Sequence, residues 1–180
     1  MTDIRVKRND ITLLDPVSEE NPFPVEVVDN LTPGRMVIAR SGVIVSTTAY
    51  TAGDAVGGLI VFPNMSRVMA GCGSIVSLTI IDLSDQGAAL QLSLFNRPFT
   101  PTADNAAMAV SDADALNAIG QLIVATTDYT DFGGYQLATI RNQFLAYDCP
   151  DGNLYGQFQT SGTPTYALGG LHVRLAGLRD

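Results

Sequence analysis

The feature that most constrains this chain is the alternation of apolar and polar residues in three segments. Residues 75–83, 88–95 and 171–176 carry an apolar side chain at every second position. These apolar residues are Val76, Leu78 and Ile80 in the first segment, Leu90, Leu92 and Leu94 in the second, and Leu171, Val173 and Leu175 in the third. Because successive side chains of a β-strand point to opposite faces, each segment is predicted to be a strand with one face toward a core.

Six more segments have the composition of short strands, and turn sequences lie between them. The turns include SDQG, DFGG, CPDG and TSGTP, whose glycine, proline and aspartate residues favour chain reversal. The further strands are predicted at 36–46, 58–62, 121–126, 135–140, 143–147 and 154–160. This spacing indicates an all-β, mainly antiparallel fold, either a β-sandwich or a jelly roll.

One short helix is predicted within this all-β pattern, at 111–120. Ser111 is a suitable N-cap with Asp114 three residues later, and Gly120 lies where a helix-ending glycine is expected. Asp112 also favours the positive end of the helix dipole. We therefore assign these carboxylates to helix capping and not to catalysis.

Residues 1–34 differ from the rest of the chain and are predicted to form an extended N-terminal arm, followed by a β-sandwich domain at 35–180. The stretch DPVSEENPFPVEVVDNLTPG contains four prolines and an acidic cluster, and it has no sustained periodicity. Proline fixes φ and removes a hydrogen-bond donor, so it favours an extended segment. Two roles stay open: a simple chain terminus, or an arm that adds a strand to a neighbouring sheet.

The composition limits the partners of the chain. With 46% hydrophobic and 16% charged residues it is globular, and no stretch approaches the ~20 apolar residues of a membrane helix. The net charge of −8 opposes binding to the phosphate backbone of nucleic acids. The first residues lack the apolar core of a secretory signal, so synthesis in the cytoplasm is expected. We expect neither nucleic acid nor membrane as a partner.

The glycine-rich stretch AYTAGDAVGG, residues 49–58, is not predicted to bind phosphate. It leads into the apolar run LIVF, which is typical of a strand, and no lysine is near, whereas phosphate loops precede a helix. A turn is predicted instead, in which glycines adopt positive φ and Asp54 accepts hydrogen bonds from local amides. Gly57 and Gly58 then allow a bulge or a close approach of backbones.

No set of residues predicts catalysis, a cofactor or a metal centre. The single histidine, His172, lies on the polar side of a strand, where a surface or interface role is the expectation. Two acidic turns lack the ligand spacing of a calcium loop and have ordinary turn chemistry. They contain Asp82 and Asp85, and Asp148, Asp151 and Asn153. Cys72 and Cys149 are expected to stay thiols in a cytosolic product, although a disulfide between them is the alternative.

Three stretches together resemble a family of small structural proteins of tailed bacteriophages. They are TTAYTAGDAVGGLIVFPN (47–64), SIVSLTIIDLSDQGAALQLSLFNRPFT (74–100) and ADNAAMAVSDADALNAIGQLIVA (103–125). The shared series is a Y-x-A-G-D-x-V-G turn, a strand ending in an acidic D-x-x-x-Q-G turn, a strand ending in phenylalanine, a DN turn and an SDAD helix. The resemblance covers roughly residues 44–126 and implies a virion protein without enzymatic activity.

Within the virion, the resemblance is greatest to proteins that decorate and cement the outside of the icosahedral head. It implies binding to the major capsid protein and self-association, often as a homotrimer. The arm is predicted to make the capsid contact by strand addition. Its proposed capsid-binding residues are Ile11, Leu13, Leu14, Val25, Val27 and Val28.

A tail or adsorption protein with a carbohydrate-binding β-sandwich is the alternative function. Sugars stack on exposed aromatic faces, and this chain has few aromatic residues and no tryptophan. The aromatic candidates are Tyr129, Phe132, Tyr135 and Tyr155. An exposed cluster of these side chains would favour the alternative.

Overall fold

The computed structural model describes residues 4–8, 11–15 and 35–179. The chain divides into two compact units, Met1–Pro33 and Gly34–Asp180. In the first unit, β1 (Ile4–Arg8) and β2 (Ile11–Asp15) pair in antiparallel register, from Ile4 with Asp15 to Arg8 with Ile11. The function of residues 1–34 as an arm stays a prediction.

The second unit is a sandwich of two antiparallel sheets. One sheet has four strands in the order β4-β10-β6-β7, and the other has five in the order β3-β11-β5-β9-β8. The strands are β3 (Arg35–Val43), β4 (Ala55–Phe62), β5 (Gly71–Asp82), β6 (Leu90–Phe95), β7 (Ala118–Val124), β8 (Tyr129–Asp131), β9 (Gln136–Cys149), β10 (Leu154–Thr160) and β11 (Leu171–Arg179). A helix, α1 (Asp112–Ala115), and a 3-10 turn, Thr126–Asp128, complete the unit.

The order of the strands is that of a jelly roll. Apart from the short edge strand β8, the chain passes from one sheet to the other after nearly every strand, and each sheet places early strands beside late ones. Among the described strands, the first strand of the unit, β3, pairs only with the last, β11. Jelly rolls are built in this way from two Greek keys. The predicted fold class is therefore confirmed.

The predicted apolar faces form the core between the two sheets, with one exception. Leu90, Leu92 and Leu94 are fully buried, as are the predicted residues of β11. In β5, however, Ile75 is buried and Val76 is only half-buried. The register of β5 shifts between Ile75 and Ser77, and such a bulge inserts one residue and reverses the alternation. The prediction for Val76 was wrong for this reason.

The helix is shorter than predicted. Ser111 caps it as expected, because its Oγ accepts a hydrogen bond from the Asp114 N–H at 3.1 Å. The helix ends at Ala115, and Gly120 lies inside β7, opposite Leu94 of β6. A Cβ at Gly120 would lie 3.1 Å from the Leu145 side chain. This glycine therefore provides room for packing and does not end the helix.

The strands predicted at 135–140 and 143–147 are one strand, β9. Asn142 and Phe144 have positive φ values of 59° and 45°, and the pairing of β9 with β5 shifts in this region. The alternation of apolar and polar residues is interrupted at this irregularity, which is why two strands were predicted. Pairing with β5 is present before and after the irregularity, so the segment is one hydrogen-bonded strand.

The glycine-rich stretch forms the predicted turn and a close approach. The Asp54 carboxylate accepts a hydrogen bond from the Thr51 N–H at 2.6 Å, and Gly53 and Gly57 have φ values of +99° and +73°. A Cβ at Gly57 would lie 2.5 Å from Val43 Cγ1 and 3.0 Å from the Ile44 carbonyl oxygen. Only glycine fits here, where β4 passes the end of β3.

Candidate interaction surface

The chain's own residues 96–111, the covering segment, cover the two central strands, β10 and β6, on the outer face of the four-stranded sheet. Leu59, Val61 and Ile123 on the edge strands of that face are exposed. Phe99 of the covering segment packs on Phe95 with ring centroids 4.1 Å apart, and Tyr155 completes the cluster. Asn105 donates its N–H to the Ala55 carbonyl oxygen at 2.9 Å. The covering segment is therefore both packed on the sheet and bonded to β4.

Gln157 of β10 is the central polar contact under the covering segment. Its side chain is fully buried. Its Oε1 accepts from the Thr102 N–H at 2.9 Å, and its Nε2 donates to the carbonyl oxygens of Gly57 and Thr102 at 2.8 and 2.7 Å. The amide thus satisfies three backbone groups that would otherwise be buried without partners.

Asp104 ties the covering segment to the edge of the sandwich. Its Oδ1 accepts hydrogen bonds from the Tyr50 hydroxyl and from the Gly57 N–H, both at 2.7 Å. The Tyr50 hydroxyl in turn accepts from the Ser46 N–H at 2.8 Å. Burial and the hydrogen bond to Asp104 raise the pKa of Tyr50 well above its ordinary value.

The outer face of the five-stranded sheet is open and carries positive charge. Arg40 of β3 and Arg174 of β11 are cross-strand partners, and both side chains are exposed. His172 lies one row along, opposite Gly42. Because Gly42 has no side chain, a groove of about 400 Å³ forms there, bounded by the two arginines, His172 and Leu83.

The same face is apolar toward the start of β3. Met36 and Ile38 are 59% and 52% exposed, and Leu178, the cross-strand partner of Met36, is also exposed. β3 is an edge strand, and no strand that the structure describes pairs with its other side. Edge strands present unpaired N–H and C=O groups. The open face and the β3 edge form a candidate protein-binding surface.

A second, smaller groove continues this surface around the edge of the sandwich. It holds about 290 Å³ between the end of β3 and the edge strand β4, and Ile44 and Leu59 are exposed along it. The edges of both sheets therefore border the same side of the molecule, and both present apolar side chains.

The predicted capsid-binding residues fall into two groups. Ile11, Leu13 and Leu14 lie in β2, where their partners in β1 are Arg8, Val6 and Arg5. The other predicted residues, Val25, Val27 and Val28, lie outside the residues that the structure describes. Their role in capsid binding stays a prediction.

The candidates for metal binding and catalysis have structural contacts instead. Both oxygens of the buried Asp82 accept backbone hydrogen bonds, from Ser84, Gln86 and Gly87, each at 2.9 Å. The Asp151 carboxylate accepts from the Tyr155 hydroxyl and from the Asn153 N–H. Within the described part of the chain, no three His, Cys, Asp or Glu side chains come together as a metal site requires.

The four aromatic candidates for glycan binding separate into two pairs. Phe132 and Tyr135 are exposed at the β8–β9 turn and stack with ring centroids 5.2 Å apart and planes within 6°. Tyr155 is buried under the covering segment, and the hydroxyl of Tyr129 is buried without a hydrogen-bond partner. Of the four candidates, only Phe132 and Tyr135 therefore form an exposed aromatic pair.

The two cysteines lie near each other on neighbouring strands. Cys149 is buried and pairs with Gly71, and the exposed Cys72 pairs with Asp148. No disulfide joins them. Their side chains point to opposite faces of the sheet, since adjacent positions on a strand alternate.

Sequence reasoning missed the residues that define the two outer faces. The alternation in 171–176 placed Arg174 on a polar face, but only the register of β3 with β11 brings Arg40 beside it. Gln157 gave no signal, because its three bonds join residues 55 and 100 positions away. The residue pattern within one segment cannot predict contacts between residues so far apart in the sequence.

Comparison with known proteins places the chain in no family. No protein-family model and no curated protein matches its sequence. Among solved structures, it is similar to a chain of the native virion of Kashmir bee virus at neutral pH, with 10% identity, a TM-score of 0.28 and coverage of 99% of this chain and 88% of that one. That similarity is too low to bear on fold or function. Among the described residues, no helix is long and apolar enough to span a bilayer.

Proposed function

We propose that this chain is a structural protein of a tailed-phage virion that decorates the outer surface of the capsid and stabilises the lattice of the major capsid protein. The observation that carries the proposal is the contrast between the outer face that the covering segment occupies and the open outer face, which adjoins the edge of β3 that no described strand pairs with. The sequence resemblance over residues 44–126 supplies the virion context. Jelly rolls occur in capsid proteins and also in lectins. The fold is therefore compatible with this role but does not distinguish it from carbohydrate binding.

The proposal includes no enzymatic activity, no cofactor and no nucleic-acid or membrane partner. A homotrimer is the proposed form on the particle, since repeated weak contacts from one assembly bind a lattice with high avidity. The chain is made in the host cytoplasm and ends on the capsid surface. In this proposal, the capsid contact is made by strand addition through six apolar arm residues, Ile11, Leu13, Leu14, Val25, Val27 and Val28.

The test is the copy number of the protein in purified virions, measured by quantitative mass spectrometry relative to the major capsid protein. Decoration predicts a ratio near a simple repeat of the coat lattice. A few copies per particle would place the protein in the tail or neck instead. Absence from virions would overturn the proposal altogether.

The proposed arm contact is tested separately, with substitutions in the full chain. Leu13→Asp and Val27→Asp are compared with Thr12→Asp, which adds the same charge outside the proposed contact set. The arm model predicts that the first two variants bind purified capsids more weakly than Thr12→Asp. Equal capsid binding by all three would contradict it.

A carbohydrate-binding adsorption protein is the second candidate, and the Phe132–Tyr135 pair is the observation that favours it. Two exposed aromatic rings at a turn offer a stacking surface for a sugar ring. A glycan array should then give a hit that Tyr135→Ala abolishes and that Tyr147→Phe, a change in a buried tyrosine, preserves. An array without any hit would end this alternative.

A further inference from the structure

We propose that the open edge of β3 and the adjoining arginines bind an extended acidic segment of a partner protein as an added strand. The inference rests on the proposed function only for the source of that segment, which would be a capsid subunit. The binding surface itself is argued from the sandwich. It differs from the arm contact, because here the sandwich accepts a strand and does not donate one.

The backbone of β3 is suited to accept a strand. It is nine residues long, its inner edge is fully paired with β11, and its outer edge is unpaired among the described residues. Strand addition gains affinity from main-chain hydrogen bonds along such an edge. Natural edge strands of this length are normally shielded by a charge, a proline or a covering element. The sequence of β3 contains no proline, and the charge at its centre is the exposed Arg40.

The side chains of β3 specify which strand fits. On the open face, Ile38, Arg40 and Gly42 occupy alternate positions, and an added strand would place its own alternate residues directly beside them. The residue beside Ile38 should be apolar, and the residue beside Arg40 should be acidic. The residue beside Gly42 can be large, because it would enter the groove next to His172.

The charge distribution favours an acidic partner. Arg40 and Arg174 are exposed neighbours, and no carboxylate in the described part of the chain forms an ion pair with either of them. The chain as a whole has a net charge of −8, so these two arginines are a local exception. Carboxylates that approach them gain attraction from both guanidinium groups.

Pairing with a second copy of β3 is disfavoured by the same charges. Joining two β3 edges would bring two Arg40–Arg174 rows onto one continuous sheet face, and like charges on neighbouring strands are destabilising. A nucleic acid would satisfy the arginines but would leave the strand edge unpaired. A segment of alternating apolar and acidic residues satisfies both features.

The experiment measures binding of labelled peptides to the full chain by fluorescence anisotropy. The probe is Thr-Ile-Thr-Asp-Thr-Val-Thr, with a matched peptide in which arginine replaces the aspartate. A third peptide carries N-methyl groups on alternate residues, which block strand pairing. The protein variants are Arg40→Glu and, as a control with the same charge change on the covering segment, Arg97→Glu.

The expected result is selective binding of the acidic peptide by the wild-type chain and by Arg97→Glu. Arg40→Glu should weaken that binding by about tenfold or more and should prefer the arginine peptide, as charge reversal at a close pair predicts. The N-methyl peptide should not bind. A variant Arg40→Gln, which keeps the length of the side chain, should lose the preference between the two peptides.

Several results would overturn the proposal. They are equal binding of the acidic and arginine peptides, equal effects of Arg40→Glu and Arg97→Glu, binding of the N-methyl peptide, or no binding of any peptide. A labelled single-stranded oligonucleotide is measured in the same assay, and an Arg40-dependent preference for it over the acidic peptide would also overturn the proposal. Virion copy number separates this inference from the proposed function. Abundance in virions without peptide binding refutes the inference alone, and peptide binding with absence from virions refutes the virion role alone.

Discussion

The outer faces of the two sheets differ in how far they are covered by other parts of the chain. The four-stranded sheet is buried on its inner side and, over its central strands β10 and β6, also on its outer side, where the covering segment packs Phe99 on Phe95 and bonds to Gln157. The five-stranded sheet has the same inner packing but presents Arg40, Arg174 and Ile38 to solvent. The covered face therefore contributes to stability, and the exposed face is the one to which we propose that a partner binds.

Because the two outer faces differ in this way, substitutions on the covered face should destabilise the fold, and substitutions on the open face should remove only an interaction with a partner. Buried polar groups on the covered face are expensive to leave unsatisfied. Exposed residues away from such contacts contribute little to stability. Variants of the two faces should thus differ in kind: covered-face variants should lower the free energy of unfolding, and open-face variants should change binding alone.

The largest effect is expected for Gln157→Ala. The change leaves the Thr102 N–H and the carbonyl oxygens of Gly57 and Thr102 without partners, so the free energy of unfolding should fall by about 3–5 kcal/mol. Gln159→Ala is the control, because the Gln159 side chain makes one bond, to the Gly53 carbonyl oxygen, and should lose about 1 kcal/mol. Urea unfolding measures both. Equal losses would show that the covering segment does not depend on Gln157.

The next effect is expected for Gly57→Ala. The added Cβ would meet Val43 and the Ile44 carbonyl at a positive φ, so a loss of about 2–3 kcal/mol is expected. Gly58→Ala is a matched control, since no atom lies within 4 Å of the position that its new methyl group would take and its φ is ordinary. The control should change stability by less than about 0.5 kcal/mol. A similar loss in both variants would contradict the close approach of β3 and β4.

Alkaline pH should weaken the sandwich through its buried tyrosines. Burial raises the pKa of Tyr129 and of Tyr166 well above 10.0, with the Asp82 charge adding to both shifts. A raised folded-state pKa gives a stability that is complete below about pH 10 and is lost as the pH rises further. Unfolding midpoints in urea should therefore be constant below that pH and fall above it. In the double variant Tyr129→Phe, Tyr166→Phe this fall should be smaller.

Smaller changes in stability, which differ in sign, are expected for Tyr50→Phe and Tyr166→Phe. These two tyrosines are in edge-to-face contact, with ring centroids 5.9 Å apart. Tyr50→Phe removes the bonds to Asp104 and Ser46 and should cost about 2 kcal/mol. Tyr166→Phe removes a buried hydroxyl that has no hydrogen-bond partner, so it should be neutral or slightly stabilising. Thermal unfolding would distinguish the two. Destabilisation by Tyr166→Phe would reveal a contact of its hydroxyl.

The smallest effect is expected on the open face. Ile38→Ser should change the free energy of unfolding by less than about 0.5 kcal/mol, while weakening the peptide binding proposed for the β3 edge. Ile80→Ser, on the inner side of the same sheet, should cost more than about 3 kcal/mol. If Ile38→Ser were also strongly destabilising, the open face would be part of the folded core and not a docking surface.

The fold could be predicted from the sequence because its signal is local. Alternation in segments such as 88–95 and 171–176 determines which side chains face the core, and turn residues mark the strand ends. The bulge at Val76 and the irregularity at Asn142 escaped prediction, because pairing with a neighbouring strand determines both. Gly120 was misread for the same reason, since its neighbour Leu145 lies on another strand.

The candidate site was less predictable than the fold. Arg40 and Arg174 are far apart in the sequence and meet only through strand register. Ile38 is exposed because no segment of the described chain covers it, and no pattern within β3 indicates this exposure. Of the aromatic candidates, Phe132 and Tyr135 meet because a tight turn joins them, which is a local contact.

The pairing of β3 with β11 has a consequence for how the chain folds during synthesis. Val43 pairs with Leu171 and Arg35 with Arg179, so the first strand of the sandwich can form its pairing with the described strands only after the last strand has been made. Contacts between distant residues slow folding and leave unpaired strands exposed to other chains meanwhile. A product that ends before β11 would therefore lack the strand that joins β3 to the sheet, and β5 would become the edge of the sheet in place of β3.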